Sequence, residues 1–208
     1  MKVAKRITLI LILSCAEFIL FAQQPVYSPE ILFGNRALSY THQISYRFSP
    51  DLKLDNLTLF DTEYGDKKND IFFIRNSLSY SLHKNISVST AVGLKNPGIF
   101  TSVSAQYQLL LGNFSLSYAA GTTYQKGITL EQSLNALYTP VITPVIHGYF
   151  KIQAVANINT EEYQRGFQQL RTGVEINGNI YGLAFNLDQF NNSHKTLKNT
   201  GIFLKHNF

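Results

Sequence analysis

The stretch Gln168–Gln189 constrains the fold more than any other part of the chain: two alternating runs meet at Asn177-Gly178. A two-residue hairpin turn of type I′ needs positive φ at both central positions, and Asn-Gly adopts it at low steric cost. The turn predicts a register in which Val174 faces Tyr181, Thr172 faces Leu183 and Leu170 faces Phe185, giving one nearly apolar face. On the other face Gly173 meets Gly182, Arg171 meets Ala184 and Gln169 meets Asn186, with Glu175 and Asp188 nearer the ends. A slip of one residue would move every apolar side chain to the opposite face, so turn chemistry and alternation are separate constraints that agree.

The remainder repeats this unit. Ala37–Phe48 alternates cleanly, with Leu38, Tyr40, His42, Ile44, Tyr46 and Phe48 on one face. A weaker strand surrounds Leu54–Asp61, with neither face assignable. Further strands are predicted over Ile71–Leu82, Ile86–Leu94, Phe100–Leu111, Phe114–Tyr124, Ile128–Tyr138, Ile146–Ile158 and Thr200–Phe208. His83-Lys84-Asn85 is expected as a three-residue loop pairing Leu82 with Ile86 and Tyr80 with Val88, with Asn85 left-handed. Gly112-Asn113 turns a hairpin that pairs Leu109 with Leu116 and Tyr107 with Tyr118. These are eleven strands with connections short enough to make neighbours antiparallel. The turns 83–85, 112–113, 139–144 and 177–178 fall at one end, and longer polar loops at 62–69, 159–164 and 191–198 fall at the other.

Met1–Ala22 does not belong to this pattern. A basic Met-Lys-Val-Ala-Lys-Arg start, the mostly apolar Ile7–Phe21 and a cut after Ala22 read as a secretory signal. The alternative is lipidation of Cys15 after Leu13-Ser14. The segment 23–36 reads as an extended entry. With the leader removed the only cysteine goes too, so no disulfide is expected. The formal net charge of +5 includes the leader's Lys2, Lys5, Arg6 and Glu17, and the remaining basic residues are scattered, which argues against nucleic acid as a partner. After Ala22 no run approaches the length of a spanning helix.

An apolar strand face can be the core of a soluble sandwich or the lipid-facing wall of a barrel, and the polar face decides between them. Here it is Ser, Gly, Ala, Asn and Gln over long runs, for example Ser102, Ser104, Gln106, Gln108, Ser115 and Ser117, with only 15% charged residues in the chain. Solvated strand faces carry more Lys, Glu and Thr; small neutral residues suit a confined lumen. Aromatic residues Tyr46, Phe48, Tyr80, Phe114, Tyr138 and Tyr181 sit on the apolar face near strand ends. With the terminal Ile-Phe-Leu-Lys-His-Asn-Phe, the chain resembles the small outer-membrane β-barrel proteins of Gram-negative envelopes over Ala37–Phe208. The resemblance implies an all-β, antiparallel up-and-down transmembrane barrel in the cell outer membrane, in contact with its lipid. It also implies a C-terminal strand read at Phe208 by the barrel-assembly machinery. Such barrels have even strand counts, so twelve is expected, with the extra strand in Val26–Phe33, and ten is the alternative.

Function falls to the inward face. Its charges are Arg75, Glu131, Lys151, Arg165, Arg171, Glu175, Asp188 and Lys205, with Arg75 the sole one between Ile71 and Tyr124. They suit either a narrow channel for small polar or anionic solutes, in which Arg171, Lys151 and Lys205 favour anions, or ion-pair ladders that fill the interior. In the ladder, Arg171 would meet Glu175 or Asp188, and Lys151 would meet Glu131. The facing Gly173 and Gly182 leave a gap that admits solute or accepts a large side chain. The expectation is a porin-like, non-enzymatic barrel. The alternatives are a plugged structural or surface-recognition barrel and, third, a lipid-modifying enzyme of the outer membrane. The five histidines, His42, His83, His147, His194 and His206, lie in no recognisable catalytic run, although closure would bring His42 and His206 near each other. No His/Asp/Glu cluster has metal-ligand spacing, so no metal or cofactor is expected.

Overall fold

The structure, a computed structural model, describes residues 25–208 except 66, 97, 161, 162 and 193. The proposed leader, Cys15 included, lies outside the described residues. Twelve strands are present: β1 (Val26–Gly34), β2 (Ala37–Arg47), β3 (Leu52–Glu63), β4 (Ile71–His83), β5 (Ile86–Lys95) and β6 (Gly98–Leu111), then β7 (Phe114–Tyr124), β8 (Ile128–Tyr138), β9 (Ile146–Ile158), β10 (Tyr163–Ile176), β11 (Asn179–Phe190) and β12 (Lys195–His206). Each pairs antiparallel with its sequence neighbours, and β1 pairs with β12 to close the barrel. The strand expected within Val26–Phe33 is β1, which makes the count even and removes both sheet edges. Among the described residues the sole helical turn is Lys67–Asn69.

Hairpin registers follow turn chemistry. Asn177 and Gly178 have φ of 50° and 78°, and Val174↔Tyr181, Gly173↔Gly182 and Arg171↔Ala184 pair as expected. The Gly112 hairpin pairs Leu109↔Leu116 and Tyr107↔Tyr118. The β4–β5 connection differs from expectation. Tyr80 does pair with Val88, but the register shifts between Ser81 and His83, and His83, not Leu82, faces Ile86. The strand absorbs the extra residue as a bulge beside a two-residue turn. Asn85 therefore has no left-handed backbone; its side-chain amide donates to the Gln108 carbonyl at 2.6 Å.

Connections also sort by end as the parity requires. The termini and the turns after β2, β4, β6, β8 and β10 share one end, here the turn end; the other connections share the loop end. The expected asymmetry in length is reduced, because strands run into each of the polar segments at the loop end. Glu63, Gln164 and Lys195–Lys198 all lie within strands, and Phe190↔Lys195 and Asp188↔Leu197 continue the β11–β12 ladder. Backbone pairing is indifferent to side-chain polarity, so strands outrun the apolar band that reveals them in sequence.

The outward face is largely apolar, with Ile99, Val103, Leu183, Ile152 and Ile202 all more than half exposed. Aromatic residues ring it at both ends: Tyr46, Tyr80, Tyr138, Tyr181 and Phe208 at the turn end, and Phe33, Phe60 and Tyr124 at the loop end. An apolar band between two aromatic girdles is the outer surface of a barrel whose solvent is lipid.

Candidate functional site

Inside the barrel the two walls are built differently. The wall formed by β9–β12 and β1 is packed. Leu32, Tyr149, Ile180, Ala184 and Phe203 form a buried cluster with Leu137 against it. Beside it lies Arg171, 2% exposed, whose Nε donates to Glu30 at 2.8 Å. Its Nη1 donates to Asn186 Oδ1 at 2.8 Å and to the Leu170 carbonyl at 3.0 Å, and its guanidinium lies 5.6 Å from the Phe203 ring centroid. A buried guanidinium is tolerable only with its charge paired and hydrogen bonds to its donors; here Glu30 supplies the charge, and Nε and Nη1 are both bonded. Lys205 sits over the Tyr149 ring. The gap at Gly173 and Gly182 is taken by a side chain: a Cβ on Gly182 would come 2.8 Å from the Phe203 ring, which pairs with it across β11 and β12.

The wall formed by β4–β8 is hollow. Ser77, Ser79, Ser89, Ser102, Ser104 and Ser117 step along its inner face and line a cavity of about 360 Å³ that opens towards the turn end. Side chains this small cannot reach across the lumen. The hollow continues towards the loop end as a cavity of about 160 Å³, lined by Phe73, Lys95, Asn157 and Arg165 among others. Beyond it is a vestibule of about 390 Å³. The middle and loop-end spaces share Lys95 and Arg165; the middle and turn-end spaces share Leu57, Arg75, Glu131 and Ser133.

The narrow point is an ion pair that crosses the lumen. Arg75 on β4 donates from Nη2 to Glu131 Oε1 on β8 at 2.6 Å. The Phe73 and Phe100 rings flank the guanidinium, with centroids 5.2 and 5.4 Å away. Thr123 Oγ1 and Asn157 Nδ2 donate to Glu131 Oε2 at 3.1 and 3.4 Å. Arg75 Nε and Asn157 Oδ1 are buried with no partner among the described residues, so the constriction still has a donor and an acceptor to offer. On the loop-end side the vestibule is lined by Lys68, Lys95, Arg165 and Lys195, against Asp70 as its carboxylate.

All eight inward charges read from sequence belong to inner-face positions, but they divide between the walls. Arg75, Glu131 and Arg165 line the hollow path. Lys151, Arg171, Glu175, Asp188 and Lys205 line none of the three spaces. The pairs also differ from the ladder expected. Arg171 bonds Glu30, Asp188 bonds Arg165 through two contacts at 3.0 and 2.6 Å, and Glu131 bonds Arg75. Barrel closure sets the first of these pairs: Glu30 reaches Arg171 across β12 and β11, an adjacency invisible in linear sequence, whereas Arg165 and Asp188 are diagonal neighbours within the β10–β11 hairpin.

Several inner charges escape the sequence reading. Lys95 shares its strand face with Ser87, Ser89 and Gly93, so stepping by two would have found it; Arg75 is therefore not alone between Ile71 and Tyr124. Lys53 and Asp55 pair at 2.9 Å on the face of β3 that sequence left open. At the loop end Arg36 bonds Asp61 and Glu63, and Asn199, 1% exposed, accepts from the Arg36 and Ala37 amides. Among the described residues no group of His, Cys, Asp and Glu could hold a metal ion.

The architecture is that of small outer-membrane barrels. A KdgM porin in complex with disordered oligogalacturonate superposes with a TM-score of 0.55 at 9% identity, over 88% of this chain and 99% of that one. A NanC porin gives 0.53 at 7%, over 89% and 99%. No protein-family model matches the sequence, and no curated protein sequence matches it. At such identities the likeness is one of fold.

Proposed function

We propose that the chain is an outer-membrane, porin-like channel passing small polar or anionic solutes along its hollow wall, without enzymatic activity. The observation that carries this reading is a row of three cavities, of about 390, 160 and 360 Å³, that runs from the loop end past Arg75–Glu131 to the serine face of β4–β8. They join through Lys95 and Arg165 above and Arg75–Glu131 below, and begin at a vestibule lined by four cations. A cationic mouth between low-dielectric walls concentrates anions. KdgM and NanC, whose fold this barrel shares, are described as porins. In this reading Met1–Ala22 directs export, and Phe208, 72% exposed and stacked on Tyr27 at 5.6 Å, presents the terminal strand to the assembly machinery.

The test is single-channel recording in a planar bilayer, with the reversal potential measured under a salt gradient. Discrete steps with anion preference are expected. Glu131→Gln removes the only carboxylate at the constriction while keeping its shape, so anion preference should rise and conductance should not fall. Stable insertion without current would sink the channel and leave a barrel closed by its packed wall and the Arg75–Glu131 pair.

A further inference from the structure

The lipid-facing wall carries polar side chains where lipid offers nothing to bond. On β1–β4, Tyr27, Tyr40, His42, Asn56, Thr58 and Asn76 all project outward and form one hydrogen-bonded chain. The Tyr27 and Tyr40 hydroxyls are 3.0 Å apart, and the Tyr40 hydroxyl lies 3.1 Å from His42 Nδ1. His42 Nε2 lies 3.2 Å from Asn56 Oδ1, which also accepts from Thr58 Oγ1 at 3.1 Å. Asn56 Nδ2 donates to Asn76 Oδ1 at 2.9 Å. With Asn56 Oδ1 fixed as acceptor, His42 carries its proton on Nε2 and accepts from Tyr40 at Nδ1. Every link then has one donor, and the chain ends at the amide NH₂ of Asn76, which is exposed and has no partner among the described residues.

From Tyr27 at the turn-end girdle, this hydrogen-bonded chain runs inwards to a group at mid-height formed by His42, Asn56 and Asn76. His42 is the central residue of β2, and Asn56 and Asn76 lie close to the middle of β3 and β4. Leu38 and Phe60 border it towards the loop end, and Ile44, Leu54 and Leu78 towards the turn end, all exposed. Head groups and ester linkages therefore lie beyond its reach, and acyl chains cannot satisfy an amide. What can meet it at that depth is another protein wall. A second copy related by a two-fold axis along the membrane normal presents the same residue at the same depth, and an amide, being donor and acceptor at once, is complementary to itself.

We propose that this face of β2–β4 is a two-fold interface between two copies of this chain, centred on Asn76 paired with its counterpart and surrounded by Val92, Leu78 and Ile74. Val92 pairs with Asn76 on β5 and is 52% exposed, which makes it an apolar flank for such a contact. The inference rests on the membrane-embedded reading of the barrel and is independent of conduction.

The test is thiol cross-linking in outer membranes of a Gram-negative host, using the full chain with Cys15→Ser as parent. Val92→Cys is compared with Ile152→Cys, equally exposed on the far wall, after treatment with a short bis-maleimide. A product of twice the chain mass is expected from Val92→Cys and not from Ile152→Cys. Adding Asn76→Leu should weaken the dimer by about tenfold, the size of one membrane-buried amide hydrogen bond. Leucine suits a lipid-facing position, so the variant should still fold, and retention in the membrane as the heat-modifiable form reports embedding separately. Equal cross-linking at both positions, adducts only to other proteins, or single-step photobleaching of labelled Val92→Cys in lipid vesicles would overturn the proposal.

Discussion

The packed wall of β9–β12 with β1 and the hollow wall of β4–β8 share one backbone plan, with antiparallel pairing throughout and inner and outer side chains alternating along each strand except at the bulges near His83 and Tyr163. What separates them is the size and charge of every second residue. Phe203, Tyr149, Ile180 and Arg171 on one side reach inwards and meet; Ser77, Ser89, Ser102 and Ser104 on the other cannot. A twelve-stranded barrel is too wide for small side chains to fill and narrow enough for large ones to span. The chain thus uses half of its inner face for stability and half for space, and a substitution should reveal which half it belongs to by whether it alters unfolding or conduction.

The largest expected effect lies in the packed wall. Arg171→Ala leaves Glu30 without its cation, and breaking a buried pair from one side costs about 4 kcal/mol. Urea unfolding in detergent micelles or lipid vesicles measures it. Arg171→Met with Glu30→Gln should recover most of the loss, because no charge is then left uncompensated. If the single variant unfolds like the parent, the wall is not held by this pair and the comparison breaks.

Next comes Phe203→Ala. The ring is fully buried and fills the space over Gly182, so its removal should destabilise the barrel by about 3 kcal/mol and leave a void. The same variant sharpens the comparison, since hollowing the second wall should raise single-channel conductance while the parent path persists.

Most of this architecture can be read from the residues alone, for identifiable reasons. Asn177-Gly178 announces its turn chemically, and the serine runs announce a confined face. The alternating Tyr27, Pro29, Ile31 and Phe33 mark an outer face for β1, which makes Glu30 an inner residue once that strand is accepted. What cannot be read is who meets whom across the lumen. Arg171 with Glu30 and Arg75 with Glu131 are separated by 141 and 56 residues, and their encounter depends on closure, strand tilt and side-chain reach. Strand ends are hidden for a different reason: polar rims such as Lys195–Lys198 look like loops because no lipid demands that their outer residues be apolar. The outward Asn56 and Asn76 break the pattern outright, and a local break of that kind is where function is to be sought.

A smaller effect separates turn from wall. Asn177→Ala places a Cβ-bearing residue without a compensating side-chain bond at φ of 50°, which costs about 1 kcal/mol. Gly112→Ala, at φ of 56° in the hollow wall, should cost a similar amount. Equal losses in equilibrium unfolding would show that turn chemistry acts alike on both walls, so that their difference resides in the inner side chains. A much larger loss at 177 would show that the packed wall depends on its register in a way the hollow wall does not.

The smallest change in stability is expected from Ser104→Phe, although its effect on conduction should be large. Ser104 bonds Ser89 at 2.8 Å and lines the 360 Å³ space, so a phenyl ring there enters a void and displaces water without forcing its neighbours apart. The lost hydroxyl pair and the gained apolar contact are each worth about 1 kcal/mol and act in opposite directions, leaving the unfolding midpoint nearly unchanged. The path proposed for solute, however, runs past this position. Single-channel conductance should therefore fall by more than half while anion preference, set by Lys95, Arg165 and the Arg75–Glu131 pair, stays as it was. Unchanged conductance would mean that solute does not follow the serine wall, and would return the hollow side to the status of an unfilled interior.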